Sequence, residues 1–499
     1  MNRMLLFGVI GLGMCASGVG GTEAVSFERL KFHGVPKGLV EGAVVADWGR
    51  FLGATDDAHS VEKPLLKEWP VGGPKKVWEV AMGEGYAGPV VAEGRVVIFH
   101  AMEGKETVEC LEAETGKRFW SFDYAVAYQD RYGFANGPRG SPVIADGVVV
   151  TLGVTSVLHG LDLKTGEVLW SRDLRAEYRV PQDFFGHGSS PLIHEGKVYV
   201  QVGGKLEAMD GNESKKERAA KLATAGVSVA AFDLRSGKVV WELEHAWGAS
   251  YASPVMAELH GVKKLMVFAG GESDPPTGGL LCVDPGSGKL ESAFAWRADD
   301  YISATASSPV VVPGKNRVFV STCYPKGKPL GGAMVEFDAA FQPKVVWESA
   351  KIGVHWMTPV YHEGHLYAVD GERENNSRLV CVDAETGAEV WGEELTWPDA
   401  ELGARMGRGG AMTLGFLRGS LLRVDGAFLA LGELGTLMWL DLSPKGCEVK
   451  QRAPLFYATN TWSLPVVSGG LLYVCQQGED IEVSQAAGPR VICLDLRGE

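Results

Sequence analysis

The sequence predicts an all-β protein: an eight-bladed β-propeller of four-stranded antiparallel blades, the last closed by an N-terminal strand. Three observations carry that expectation. The unit [DE]-x-x-[TS]-G-x-x-x-W occurs at Glu112–Trp120, Asp162–Trp170, Asp233–Trp241 and Asp383–Trp391. A second unit, Ser-Pro or a close variant, then apolar residues, an acid-Gly pair and another apolar run, alternates with it, as in SPVIADGVVVTL from Ser141. Degenerate copies bring both units to eight. Opening positions fall at Pro89, Pro142, Pro191, Pro254, Pro309, Pro359, Leu421 and Pro465, and turn acids at Glu112, Asp162, Asp233, Asp284, Asp338, Asp383, Asp441 and Asp495. The mean spacing, (465 − 89)/7 or about 54 residues, is that of a repeat array. Four strands per unit with no helical crossover describe a propeller.

Residues 1–24 carry the features of an export signal: Arg3 as the early charge, an apolar run from Met4 to Met14, then small residues. Met14 is too large for the residue before a lipidated cysteine, so a lipid anchor at Cys15 is not expected. Residues 25–74 lack clean periodicity and are expected to form an extension laid over the surface, pinned by Trp48, Leu65, Leu66 and Trp69. The propeller is expected over residues 75–499.

Within each repeat, Pro suits the first residue of a strand, where a missing donor does little harm. The acid-Gly pair suits a two-residue hairpin turn. The turn acid accepts backbone N–H groups just ahead of it, and Gly supplies positive φ. The eighth repeat ends at Glu499, just after its turn acid Asp495, and lacks a fourth strand, while KKVWEVAM at 75–82 is an orphan fourth strand. Pairing the two closes the ring and removes two open edges. Two insertions break the register. Residues 206–227 are charged and helix-favouring at their centre, and 272–279 have loop composition.

Composition excludes several classes. A formal net charge of −14 disfavours nucleic-acid partners and anionic membrane surfaces. No stretch after the signal is long and apolar enough for a transmembrane span. There is no CxxC and no adjacent cysteine pair, so zinc and c-type haem lack support and no metal site is expected. Cys110, Cys282, Cys381 and Cys493 each stand two residues before a turn acid. Equivalent positions in separate sheets do not come within disulfide reach, and they are expected to be small buried hydrophobes. His362-Glu-Gly-His365 is not a zinc helix, because Leu366 holds the position a second histidine would need.

The two units together resemble the pyrroloquinoline-quinone-like (PQQ-like) propeller repeat, and segments such as Asn136–Pro142 resemble its exported bacterial branch. The resemblance implies that Trp78, Trp120, Trp170, Trp241 and Trp391 dock between neighbouring blades, with Trp296 and Trp347 displaced by insertions and no equivalent in blade seven. The family holds quinone-dependent dehydrogenases and non-enzymatic scaffolds. Its alcohol-oxidising members use adjacent cysteines against the quinone and a Glu/Asn/Asp calcium site, neither of which can be placed on this chain.

In a propeller, loops entering the innermost strands gather at one mouth of the channel. Three residues before the opening positions stand Tyr86, Arg139, Gly188, Tyr251, Ala306, Trp356, Arg418 and Trp462, with Tyr132, Phe185, His187, Trp247, Tyr301, His355 and Arg408 nearby. Aromatics with arginine on a concave mouth suit a planar or sugar-like ligand or a peptide; packing of these rings between blades is the structural alternative. The candidate binding set is therefore Tyr86, Arg139, His187, Tyr251, His355, Trp356, Arg418 and Trp462, with no catalytic residue assigned. The expected function is an exported, monomeric, periplasmic or extracellular binding or scaffolding module, with an envelope protein or glycan as partner and no cofactor. The alternative is a PQQ-dependent oxidoreductase using the quinone with calcium.

Overall fold

The computed structural model describes residues 23–205, 207, 212–222, 224–273, 276–300, 303–323, 331–371, 377–481 and 487–498. The expected export signal over residues 1–24 lies outside them, except for its last two residues. Eight four-stranded antiparallel blades form an eight-bladed propeller. Blade 1 shows the pattern: Val90–Ala92, Arg95–Met102, Lys105–Glu112 and Arg118–Ala125, paired in that order from channel to rim. The acid-Gly turns have both central residues at positive φ, for example Asp146 at 50° and Gly147 at 74°, the twist a right-handed hairpin requires. Asp383 accepts from the N–H groups of Glu385 and Thr386 and from the Thr386 hydroxyl.

Ring closure follows the expected pairing. The strand Lys75–Ala81 lies antiparallel to Arg490–Asp495, with Trp78 opposite Cys493. A further strand, Leu30–Phe32, covers its outer edge. The first insertion carries the helix Lys215–Leu222.

The seams between blades explain the turn motif. Each docking indole donates to a backbone carbonyl at the turn of the next blade: Trp78 to Ala113, Trp120 to Leu163, Trp170 to Leu234, Trp241 to Pro285, Trp347 to Ala384 and Trp391 to Ser443, at 2.7–3.0 Å. Trp347 thus docks like the regular copies, while Trp296 reaches the Glu348 carboxylate instead. The glycine of the next turn forms the indole's seat. A methyl at Gly166 would stand 2.6 Å from Trp120, and one at Gly237 2.6 Å from Trp170. A recurring bulge in the outer hairpin sets small residues opposite the ring, pairing Cys110 with Trp120, Gly160 with Trp170, Ala231 with Trp241 and Cys381 with Trp391. Cys110 and Cys381 are buried and free, small residues that leave room for the indole opposite.

A second set of bonds joins the inner strands. The N–H groups of Gly88, Ser141, Ser190, Ser253 and Ser308 each donate to the hydroxyl opening the next blade, Ser141, Ser190, Ser253, Ser308 and Thr358, at 2.9–3.2 Å. The Ser of Ser-Pro is therefore an inter-blade acceptor as well as a strand start.

The extension departs from expectation. Residues 44–63 enter the channel rather than lie over the surface, because the channel-facing edges of the inner strands carry unpaired backbone groups. Trp48 exchanges two hydrogen bonds with Val91, the Gly49 carbonyl accepts from Ile144, the Arg50 guanidinium donates to the Ile193 carbonyl, and His59–Ser60 pairs in parallel with Arg423–Val424. The buried Glu62 carboxylate accepts from Ala46, Gly469 and Gly470. Past the channel, residues 65–69 fill the blade 7–8 seam, which lacks a docking tryptophan. There the Leu66 N–H donates to Leu496, whose carbonyl follows a turn acid as Ala113, Leu163, Leu234, Pro285 and Ala384 do, and Trp69 stacks on Trp439 at 6.1 Å.

Gly147 and Gly166 share φ of 74°, but only Gly166 seats an indole. Gly147→Ala is expected to cost about 1 kcal/mol for the left-handed backbone. Gly166→Ala is expected to cost about 2–4 kcal/mol, because overpacking adds about 1–3. Urea unfolding of the two variants measures the difference, and equal losses would refute the seat.

Candidate ligand site at the channel mouth

The loops entering the inner strands gather at the mouth, and all eight residues three positions before the blade openings line one cavity of about 350 Å³. Of the eight candidate binding residues, Tyr86, Arg139, Tyr251, His355, Trp356, Arg418 and Trp462 line it. Their rings form a near-continuous belt. His355 stacks on Trp356 at 3.6 Å, Trp356 meets Trp462 at 4.4 Å, and Trp462 meets Tyr86 at 4.9 Å and Phe134 at 5.8 Å. Phe134 then meets Phe185 at 5.7 Å, and Phe185 meets Tyr251 at 5.6 Å. The phenol oxygens of Tyr86 and Tyr251 accept from the N–H groups of Ala135 and Phe185, which fixes both rings. Burial raises both phenols above their usual pKa, so they stay protonated.

Two arginines interrupt the belt, and each is backed by a carboxylate. Arg139 pairs with buried Asp130 at 2.7 Å and also donates to the Gly137 and Ala135 carbonyls. Arg418 holds Glu433 through both Nε and Nη2, and the same carboxylate accepts the Trp462 indole N–H at 2.8 Å and the Arg418 backbone N–H at 3.2 Å. The Arg418 guanidinium lies 4.7 Å from the Trp356 ring and 5.4 Å from Trp462. One glutamate thus orients an arginine and a tryptophan together.

The floor is a residue that sequence reasoning missed. Phe51, carried into the channel by the extension, lines the cavity. Behind it Arg50 pairs with Asp56 at 3.0 Å, and burial pushes that carboxyl up to about 7 despite the arginine and a bond from the Met256 backbone. Occupied below, the channel is a blind cup. Phe51 has no repeat equivalent, so its place could not be read from the sequence. Phe134 stands near Arg139 and could have been found by the proximity that singled out Phe185.

His187 does not line the cup. It faces a smaller neighbouring cavity with Ser156, Asp183, Lys205 and Glu272, its Nδ1 lying 3.2 Å from the Ser156 hydroxyl. Burial pushes its imidazole down to about 4. Trp247 meets His245 edge-on and does not line the cup, and neither does Arg408. Tyr301 lies outside the described residues.

The donor set decides which cofactor the lining suits. Among the described residues no carboxylate and no thiol lines the cup, and no group of three His, Cys, Asp or Glu is placed to hold a metal. These residues do not fit a quinone held with calcium, which needs carboxylate ligands and free cations for its own carboxylates.

Blades, seams and mouth define an eight-bladed propeller of PQQ-like repeats with a ring-lined axial cup. The chain belongs to the family described as outer membrane protein assembly factor BamB, whose profile matches residues 72–393. It is similar to polyvinylalcohol dehydrogenase of Pseudomonas sp, 26% identical over 309 residues, 59% of this chain and 43% of that protein. It is also similar to tetrathionate hydrolase of Acidithiobacillus ferrooxidans, 26% identical over 230 residues, 43% of this chain and 38% of that protein. The chain therefore spans less than half the length of these relatives. Among solved structures, quinohemoprotein alcohol dehydrogenase from Comamonas testosteroni superposes with a TM-score of 0.56 at 14% identity, covering 91% of this chain and 81% of that one; this likeness is one of fold. No helix among the described residues is long and apolar enough to cross a membrane.

With a folded pKa near 4 against the usual 6.5, His187 stays neutral while the unfolded chain takes up a proton. Its contribution to stability is complete above pH 6.5 and is lost as pH falls toward 4, by about 3 kcal/mol. The urea midpoint of the wild type is expected to fall more steeply from pH 7 to 4.5 than that of His187→Gln. Parallel curves would show that His187 does not titrate this way.

Proposed function

We propose that this chain is an exported, monomeric binding or scaffolding module whose ligand site is the cup. One observation carries the reading: the eight equivalent loop positions, with Phe51 beneath them, enclose a single cavity walled by seven aromatic rings, Tyr86, Phe134, Phe185, Tyr251, His355, Trp356 and Trp462. Its volume of about 350 Å³ suits a small molecule or one end of a larger ligand, since such sites span about 300–1,000 Å³. Rings aligned around a concave wall offer large contact area at low entropy cost. An envelope glycan or protein is the expected partner, in keeping with the apolar run after Arg3 and the description of the family.

A second reading, oxidation by a quinone-dependent route, draws on relatives such as alcohol dehydrogenase (quinone) of Komagataeibacter europaeus, 25% identical over 272 residues, 51% of this chain and 32% of that protein. Added pyrroloquinoline quinone with calcium tests it through a spectral shift and dye reduction.

The module reading is tested by tryptophan fluorescence against a glycan array and an aromatic fragment library. Trp356→Ala and Trp462→Ala, checked for fold by circular dichroism, are each expected to weaken binding at least about tenfold, the loss of about 1.4 kcal/mol of stacking. Undiminished binding by both folded variants would place the ligand elsewhere.

A further inference from the structure

We propose that the cup selects an uncharged ring with a stackable face and turns away carboxylated ones, because both of its arginines are already neutralised from behind. The inference rests on the reading of the cup as the ligand site. A cavity with two arginines on its wall would ordinarily attract anions. Here Asp130 and Glu433 alter that. Asp130 has no exposed side-chain surface and lies 2.7 Å from Arg139, whose own side chain is 10% exposed. The Glu433 side chain is 3% exposed and that of Arg418 11%. Each guanidinium and its carboxylate form a dipole rather than a cation, and a dipole's field fades faster than a charge's.

Geometry leads to the same selection. The Glu433 carboxylate accepts from Arg418 Nε and Nη2, the Arg418 backbone and the Trp462 indole. This fourfold tie holds the guanidinium near the faces of Trp356 and Trp462. Arg139 likewise lies 5.6 Å from the Tyr86 ring and 6.0 Å from Phe185. Both cations therefore serve to orient rings. An incoming carboxylate would meet walls of indole and phenol and would be desolvated against guanidiniums that are already paired, which is costly. A ring without charge stacks and loses nothing. Aryl rings and sugar rings share this chemistry.

The test compares 2-naphthalenemethanol, 2-naphthoate and methyl β-glucoside by calorimetry on the full chain. An uncharged probe is expected to bind at least about tenfold tighter than 2-naphthoate, and whether it is the naphthyl alcohol or the glucoside tells an aryl from a sugar source. Glu433→Gln keeps a hydrogen-bonding shape but releases the Arg418 charge, and it is expected to shift preference about tenfold toward 2-naphthoate. Asp130→Asn, releasing Arg139 beside Tyr86, makes the same test if Glu433→Gln does not fold. Wild type that binds 2-naphthoate as tightly as the better-bound neutral probe overturns the inference alone, as does an unchanged preference in a folded variant. Failure of all three probes with the fold intact overturns the ligand reading of the cup as well.

Discussion

The structure depends on one repeated bond: an indole N–H donating across a seam to a backbone carbonyl at the next blade's turn. A blade of four strands buries little by itself, so a propeller stands only if its sheets lock side by side. The tryptophan does this through apolar area and a directed bond together. It fixes the other residue types of the motif. The turn acid gathers the turn's N–H groups, the glycine clears the seat for the ring, and a small residue opposite leaves it room. At the one seam whose repeat lacks the tryptophan, the Leu66 N–H bonds the equivalent carbonyl and Trp69 adds the area.

A ring of blades leaves its innermost edges unpaired around a channel. Two solutions coexist here. Toward the mouth, each blade's opening N–H finds the hydroxyl of the next, from Gly88 round to Thr358. Below, the extension takes up the free backbone groups of several inner strands in turn. Capping the edges and shaping the cavity are therefore one act, and a segment outside the repeats decides how deep the cup is.

The cup shows how buried charge can build an apolar site. Asp130 and Glu433 do not touch its interior, yet they hold the arginines that brace Tyr86, Trp356 and Trp462. Removing one partner of such a buried pair leaves an uncompensated charge, which is far more costly than the pair itself is stabilising. Rigidity of the aromatic belt is bought with electrostatics placed behind it.

Most of the fold was legible in the sequence, because a repeat states its local chemistry eight times. The hairpin turns, the closing strand with Trp78 opposite Cys493, the buried cysteines and the eightfold ring follow from periodic residues whose roles are local or passed between like neighbours. The mouth positions followed from counting back three residues from each opening, and the ring brought all eight together. What lay beyond the sequence was everything that happens once. Phe51 and the rest of the extension carry no repeat signal, so only the closed ring shows that they enter its lumen. His187 is next to a mouth position in sequence but turns toward a side cavity, while its neighbour Gly188 packs against Tyr251 with no room for a side chain. Sequence by itself determined the blades and their count, because those rest on short-range patterns. Tertiary structure alone decided that the channel is blind and its arginines are neutralised, because both depend on contacts between segments that no periodicity relates.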